Sequence, residues 1–144
     1  VDHVAVVVAD LDAATQLWRD VLGLRAGARE VVEDQGVEVQ MMWAGDTRIE
    51  LVHPIRSDSP AAKFLARRGP GMHHLALAVE NCREAVTSAS ARGARMIDPE
   101  PRGGAHGTRI AFMHPHTTGG VLCELVEGGG GPWLRDEAEE RAAE

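Results

Sequence analysis

The chain has 144 residues, 44% hydrophobic and 26% charged, a balance that suits one globular domain and excludes a disordered or fibrous chain. A formal net charge of −7 argues against the basic face on which nucleic-acid binding depends. No run of about eighteen apolar residues occurs and no basic segment leads into an apolar cleavage region, so neither a membrane span nor a signal peptide is expected, and the cytoplasm is the expected compartment.

The missing initiator Met predicts a short N-terminal extension. Cys82 and Cys123 form neither a CxxC nor a disulfide framework and are expected to be reduced core residues. The acidic excess is uneven: from Arg135 to Glu144 two arginines face five carboxylates. Preceded by Gly128 to Gly131, residues 128–144 read as a glycine linker and acidic C-terminal tail, with a single domain over residues 1–127.

In chain order, His3-Val-Ala-Val-Val-Val-Ala-Asp predicts a strand opened by a His. Leu11 to Leu22 predicts a helix with Leu11, Leu17, Trp18, Val21 and Leu22 near one face, capped by Asp10 or Asp12 and ended by Gly23. Strands are expected over 24–33 and 36–44, then a hairpin turn at Gly45-Asp46, then a strand in Thr47-Arg-Ile-Glu-Leu-Val. Residues 56–71 join the first half of the chain to the second, with Ser59 capping a short helix from Pro60 to Arg68.

The order then repeats. His74-Leu-Ala-Leu-Ala-Val-Glu-Asn matches the opening strand, Cys82 to Arg92 the helix, 94–97 and 108–114 two strands around a Pro/Gly loop (98–107), and Val121-Leu-Cys-Glu-Leu-Val the closing strand. Residues 1–55 and 72–127 are therefore two tandem β-α-β-β-β modules. The expected fold is α+β, a curled, mostly antiparallel eight-stranded sheet with helices on one face.

Each module places one His in its first strand and one Glu in its last. Side chains two apart share a face of a strand, so His3, Glu50, His74 and Glu124 can be aimed at one point from a curled sheet. Two imidazoles and two carboxylates suit a divalent Co, Ni, Mn, Fe or Zn ion. Each of these residues alone reads as an ordinary strand residue; their joint recurrence by repeat points to a metal site. His73 must face away from His74 in a regular strand, and His53, His114 and His116 read as rim residues. His106 lies in Arg102-Gly-Gly-Ala-His-Gly, whose glycines allow either a close backbone approach to an anion or a plain turn.

The paired modules with these ligands resemble the vicinal oxygen chelate superfamily. Within it, Gly45-Asp-Thr-Arg-Ile-Glu-Leu-Val-His-Pro, Asp58-Ser-Pro-Ala-Ala-Lys-Phe-Leu, Gly71-Met-His-His-Leu-Ala and Phe112-Met-His-Pro-His-Thr-Thr-Gly-Gly-Val-Leu-Cys-Glu-Leu resemble the methylmalonyl-CoA epimerase family. The resemblance implies interconversion of the (2R) and (2S) epimers of methylmalonyl-CoA, one divalent ion (Co2+ first, then Mn2+, Ni2+, Zn2+ or Fe2+), a homodimer, and Glu50 and Glu124 as the two proton carriers. Relatives with Gln at the position of Glu50 carry a separate Glu at the place of Val39, and Glu38 and Gln40 would face the other way. Where the family commonly has Lys in a His-Pro-Lys segment, this chain has His116.

A glyoxalase I-like isomerase also uses two His and two Glu, but its last strand usually follows Asp-Pro-Asp-Gly, where this chain has His114-Pro-His-Thr-Thr-Gly-Gly. Ring-cleaving dioxygenases of the superfamily use one carboxylate, and non-catalytic small-molecule binders of the same fold lose ligands; retention of all four argues against both.

Overall fold

A computed structural model describes residues 1–129. Most of the expected linker and acidic tail, from residue 130 on, lies outside the described residues. The first half runs β1 (His3–Val7), α1 (Leu11–Gln16), β2 (Arg25–Val32), β3 (Val37–Ala44) and β4 (Thr47–Pro54). After α2 (Pro60–Arg68), the second half runs β5 (Gly71–Ala78), α3 (Cys82–Ala91), β6 (Arg102–Gly103), β7 (Arg109–Met113), a single turn α4 (Pro115–Thr118) and β8 (Cys123–Glu127).

The strands form one curled sheet in the order β2-β3-β4-β1-β5-β8-β7-β6. β1 pairs antiparallel with β5 at the seam between halves, and each is flanked by the closing strand of its own half, β4 and β8, in parallel. The remaining pairs are antiparallel.

Alternation along the strands separates two faces. Val8, Met42 and Leu51 pack with Leu11, Ala14 and Trp18 of the first half's helix on the convex side, and Ala111 and Leu125 pack with Cys82, Ala85 and Val86 of α3 likewise. On the concave side Ala5, Val7, Val39 and Val52 meet Ala61, Phe64 and Leu65 of α2. The helices are thus not confined to one face. Ala61, Phe64 and Leu65 recur at helical spacing and form one apolar face, which α2 turns to the concave side of the sheet.

The local signals account for the ends of these elements. Asp10 accepts from the Ala13 N–H at 3.0 Å, Asn81 from Glu84 at 3.0 Å and Ser59 from Ala62 at 3.1 Å, each an N-cap that supplies one of the acceptors the first turn lacks. The first helix departs from expectation after Gln16, where Leu17–Val21 forms a π turn. The wider turn rotates Leu17, Val21 and Leu22 into solvent, at 50%, 71% and 55% exposure, while Trp18 stays packed.

A strand over 94–97 does not form. Met96 makes an isolated bridge to Met113, and both Ile97 and Asp98 N–H donate to the Phe112 carbonyl. Pro99 and Pro101 have no N–H to extend a ladder, so pairing resumes only at Arg102–Gly103, inside the expected loop. Cys82 and Cys123 are free and buried.

Met42 is fully buried on the convex face, on the opposite side of β3 from Met41. Met42→Ala is expected to cost about 2–5 kcal/mol, read as a lower urea midpoint with an unchanged slope, and to leave the concave face intact.

Candidate functional site

The sheet order sets the positions of the four expected ligands. His3 and His74 stand on the two central strands, and Glu50 and Glu124 on the strands that flank them. Two fully buried alanines space the cluster: Ala5 is the register partner of both Glu50 and His74, and Ala76 that of both His3 and Glu124. A larger side chain at either alanine would fill the space into which its neighbours point.

All four groups are buried, at 4% for His3, 7% for Glu50, 8% for His74 and 3% for Glu124. The two imidazole Nε2 atoms lie 3.3 Å apart. His3 Nε2 is 3.2 Å from a Glu50 oxygen and 3.5 Å from a Glu124 oxygen, and His74 Nε2 is 3.7 Å from the other Glu124 oxygen. Donor atoms of His3, His74 and Glu124 all lie within 4.8 Å of one another, an arrangement able to hold a metal ion. Glu50 is tied to that trio through His3. The cluster borders a cavity of about 20 Å³, room for a water-sized particle or a bare cation.

Both imidazoles have their far nitrogens engaged. His3 Nδ1–H donates to Asp2 Oδ2 at 2.7 Å, and Asp2 in turn accepts from Arg48 Nη2 at 2.8 Å. Donation at Nδ1 leaves the Nε2 lone pair turned into the cluster, the arrangement that orients metal-ligating histidines. His74 Nδ1 lies 2.8 Å from His73 Nδ1. A regular strand would put His73 on the opposite face, but β5 carries a register shift against β1, so that Ala5 faces His74 and Val6 faces Met72. His73 is the residue passed over, and the bulge brings its ring beside those of His74 and Phe64.

The electrostatics follow from burial. Burial works to lower the His3 pKa, but Glu50, Asp2 and Glu124 outweigh it and push the pKa up to about 9. Burial, with Glu50 and Asp2 adding to it, raises Glu124 to about 8 against the pull of His3. Burial also raises Glu50, opposed by His3 and His106, and holds His74 well below the ordinary value with His3 and His73 acting the same way. For Asp2, His3 and Arg48 prevail over burial and keep the carboxyl below its usual range. Two buried carboxylates that share one imidazole nitrogen, at 3.2 and 3.5 Å, leave excess negative charge in the interior unless protons or a cation neutralise it. The donor set therefore fits a divalent ion.

The remaining candidates separate clearly. Glu38 and Gln40 sit on the convex side of β3, where Gln40 accepts from Arg29 and Glu38 lies 3.9 Å from the same guanidinium; Val39 lines the cavity. His53 reaches the Val8 carbonyl at 3.2 Å, and His114 caps α4 by accepting from the His116 N–H. His116 is exposed.

His106 lines the same cavity as the four ligands. Its loop crosses from the second half to the first: the His106 N–H donates to Glu30, His106 Nδ1 lies 3.3 Å from the same carboxylate, and Arg102 donates to the Asp34 carbonyl at 3.1 Å. The anion this loop approaches is the chain's own Glu30. At Gly104 a Cβ would fall 2.6 Å from Thr108 Oγ1 and 2.7 Å from an Ile110 methyl, so glycine is needed for the crossing. Sequence patterns alone do not single out Asp2, Arg48, Glu30 or the role of His73. The place of Asp2 immediately before His3 is the one local signal that points to any of them.

The glyoxalase/bleomycin resistance protein/dioxygenase superfamily model matches residues 2–112. The mitochondrial methylmalonyl-CoA epimerase of Bos taurus is 40% identical over 127 residues, covering 88% of this chain and 73% of that protein. The crystal structure of methylmalonyl-CoA epimerase from Mycobacterium tuberculosis superposes with a TM-score of 0.84 at 36% identity, covering 94% of this chain and 90% of that one. A methylmalonyl-CoA epimerase solved in complex with methylmalonyl-CoA and NH4+ gives a TM-score of 0.84 at 34% identity, covering 90% and 94%. With the curled double-module sheet and its His and Glu cluster already in place, these matches show that the chain belongs to the glyoxalase/bleomycin resistance protein/dioxygenase superfamily and, within it, to the methylmalonyl-CoA epimerase family.

Proposed function

We propose that this chain interconverts the (2R) and (2S) epimers of methylmalonyl-CoA in a divalent-metal-dependent reaction. The observation that carries this reading is the pair of buried carboxylates, Glu50 and Glu124, reaching the His3–His74 pair from opposite sides of the sheet seam. The C2–H of the substrate lies between a thioester carbonyl and a carboxylate, and inversion needs one base on each face of C2. Glu50 removes or returns the proton on one face and Glu124 on the other. With Val39 lining the cavity and Glu38 and Gln40 turned away, β3 supplies no third carboxylate to the site.

His3, Glu50, His74 and Glu124 would hold the ion, Co2+ first among Co2+, Mn2+, Ni2+, Zn2+ and Fe2+. A bound divalent ion supplies the positive charge that stabilises the negative charge developing on the thioester oxygen. Asp2, held by Arg48, keeps His3 in the tautomer that presents Nε2, and a His74 Nδ1–H donated to His73 Nδ1 would do the same for His74. The buried, free cysteines are consistent with a reducing, cytoplasmic setting, and among the described residues no helix is long and apolar enough to cross a membrane.

Incubation with (2S)-methylmalonyl-CoA in deuterated water, with and without chelator, tests the activity by following exchange at C2. Glu50→Gln is expected to retain metal through its amide oxygen and to lose epimerisation while keeping one-sided exchange through Glu124. Epimerisation at the parental rate would reduce Glu50 to a ligand. His74→Ala should lose most bound metal and turnover while keeping the fold, and full metal content in that variant would remove His74 from the ligand set.

The metal-free protein should be pH-sensitive in a defined direction. His3 and Glu124 both have folded-state pKa values above their ordinary 6.5 and 4.5, so the folded chain binds more protons than the unfolded one as these groups titrate. Their contribution is present at low pH and lost as pH rises through about 8 and 9; the depressed His74 acts the opposite way only below 6.5. Chelated protein should therefore lose melting temperature between pH 6.5 and 9, whereas metal replaces those protons and should flatten the dependence. A flat profile in the chelated protein would count against this arrangement of buried groups.

A homodimer is the assembly this reading includes, and the exposed Leu17, Val21 and Leu22 offer apolar surface to a second copy. Light scattering is expected to give twice the chain mass of 15.4 kDa; a concentration-independent monomer would overturn it.

A further inference from the structure

We infer that Trp43 is a positioning residue for the metal centre, its ring holding Arg48 against Asp2 and thereby fixing the imidazole of His3. The inference rests on the metal reading of the His and Glu cluster and carries the support of His3 outward to the second strand from β1. The residues concerned stand side by side across the sheet. Arg25 on β2, Trp43 on β3 and Arg48 on β4 are register partners in turn, and β4 lies beside β1, which opens at His3.

Direct contacts link this row end to end. The Arg48 guanidinium carbon lies 5.7 Å from the centre of the Trp43 ring, within reach of a cation–π contact. The same guanidinium forks onto Asp2: Nε donates to the Asp2 carbonyl at 3.1 Å and Nη2 to Asp2 Oδ1 at 2.8 Å. Asp2 Oδ2 then accepts from His3 Nδ1 at 2.7 Å. Arg25, itself exposed, lies 5.9 Å from the Trp43 ring, so the indole has a guanidinium neighbour on each adjoining strand.

Burial makes these contacts matter. Arg48 is 7% exposed and Trp43 5%. A guanidinium that has given up its water needs a partner for its charge and an aromatic surface for its flat face; Asp2 supplies the first and the indole the second. Without the ring, Arg48 gains room to change rotamer, and its grip on two Asp2 oxygens loosens. Among buried residues the indole clusters with Met41, apart from the two larger apolar clusters of the first half, so filling the main core does not account for its place beside Arg48. The backbone leaves room at both ends of the row. A Cβ at Gly27 would fall 3.1 Å from Trp43 Nε1, and one at Gly129 would fall 2.2 Å from Asp2 Oδ1.

Titration of the chelated and desalted protein with Co2+, followed by calorimetry and by the absorption spectrum of the bound ion, tests this. Trp43→Leu should weaken Co2+ binding by about tenfold or more, as loss of an outer support of a metal-bound imidazole does, and should change the visible bands. Trp43→Phe keeps a ring face for the guanidinium and should restore most of the affinity. Arg48→Lys keeps the charge without the fork or the flat face and should weaken binding by a similar factor; adding Trp43→Leu to it should cost no more than about twofold further. Arg48→Lys leaves the ring in place, so the test does not depend on the folding of Trp43→Leu. Urea unfolding of each variant in chelator measures packing separately. If Trp43→Leu lowers the urea midpoint but binds Co2+ as the parent does, or weakens binding equally in the parent and in the Arg48→Lys background, Trp43 is a packing residue; the inference is then wrong and the metal reading stands. If Arg48→Lys binds Co2+ as the parent does, charge alone holds Asp2 and the inference is again wrong. A parent that binds no Co2+ removes the metal reading, and this inference with it.

Discussion

The structure is organised around the burial of four ionisable side chains at the seam between its two halves. His3, Glu50, His74 and Glu124 are each more than nine-tenths buried; His3, His74 and Glu124 lie 3.3 to 3.7 Å from one another, and Glu50 joins them 3.2 Å from His3. Burying a single unpaired carboxylate costs several kcal/mol, more than any surface ion pair on this chain returns. The cluster is tolerable only if protons or a cation neutralise it, which is why His3 and Glu124 both hold protons well above their ordinary range when no metal is present.

Several features far apart in the chain follow from that constraint. Ala5 and Ala76 leave the centre of the cluster unfilled, each facing one His and one Glu. Asp2 with Arg48, and His73 from its bulge, occupy the outer nitrogens of the two imidazoles, so both rings are held by a neighbour one residue before them in the chain. The Glu30–His106 crossing ties the loop of the second half to the edge strand of the first, beside the cavity that the ligands line. The hydrogen bonds among them fix the orientation of groups that are buried with little room to move.

The two cavities differ in size and lining. The one at the cluster, about 20 Å³, borders His3, Glu50, His74 and Glu124 and has room for a water-sized particle or a bare cation, whereas the open groove of about 520 Å³ runs along α2 and borders His74. α2 lines that groove because it packs on the concave side of the sheet, whereas α1 and α3 pack on the convex side.

Much of this is legible in the linear chain. The repeat, the capped helices at Asp10, Ser59 and Asn81, and the recurrence of His and Glu in matching strands are local patterns, and the strand period of two is enough to put His3 with Ala5 and Glu50 with Val52 on one face. Other features are decided only by tertiary structure. The shift that swings His73 beside His74 is a property of β1–β5 register, not of either strand's sequence. The pairing of Arg48 with Asp2 spans 46 residues and that of His106 with Glu30 spans 76. The π turn that exposes Leu17 and Val21, and the prolines that postpone β6 to Arg102, override a periodicity that reads as regular. Local periodicity determines which residues share a face of one element; which elements then meet depends on contacts between distant segments, whose free energy exists only once the chain has closed on itself.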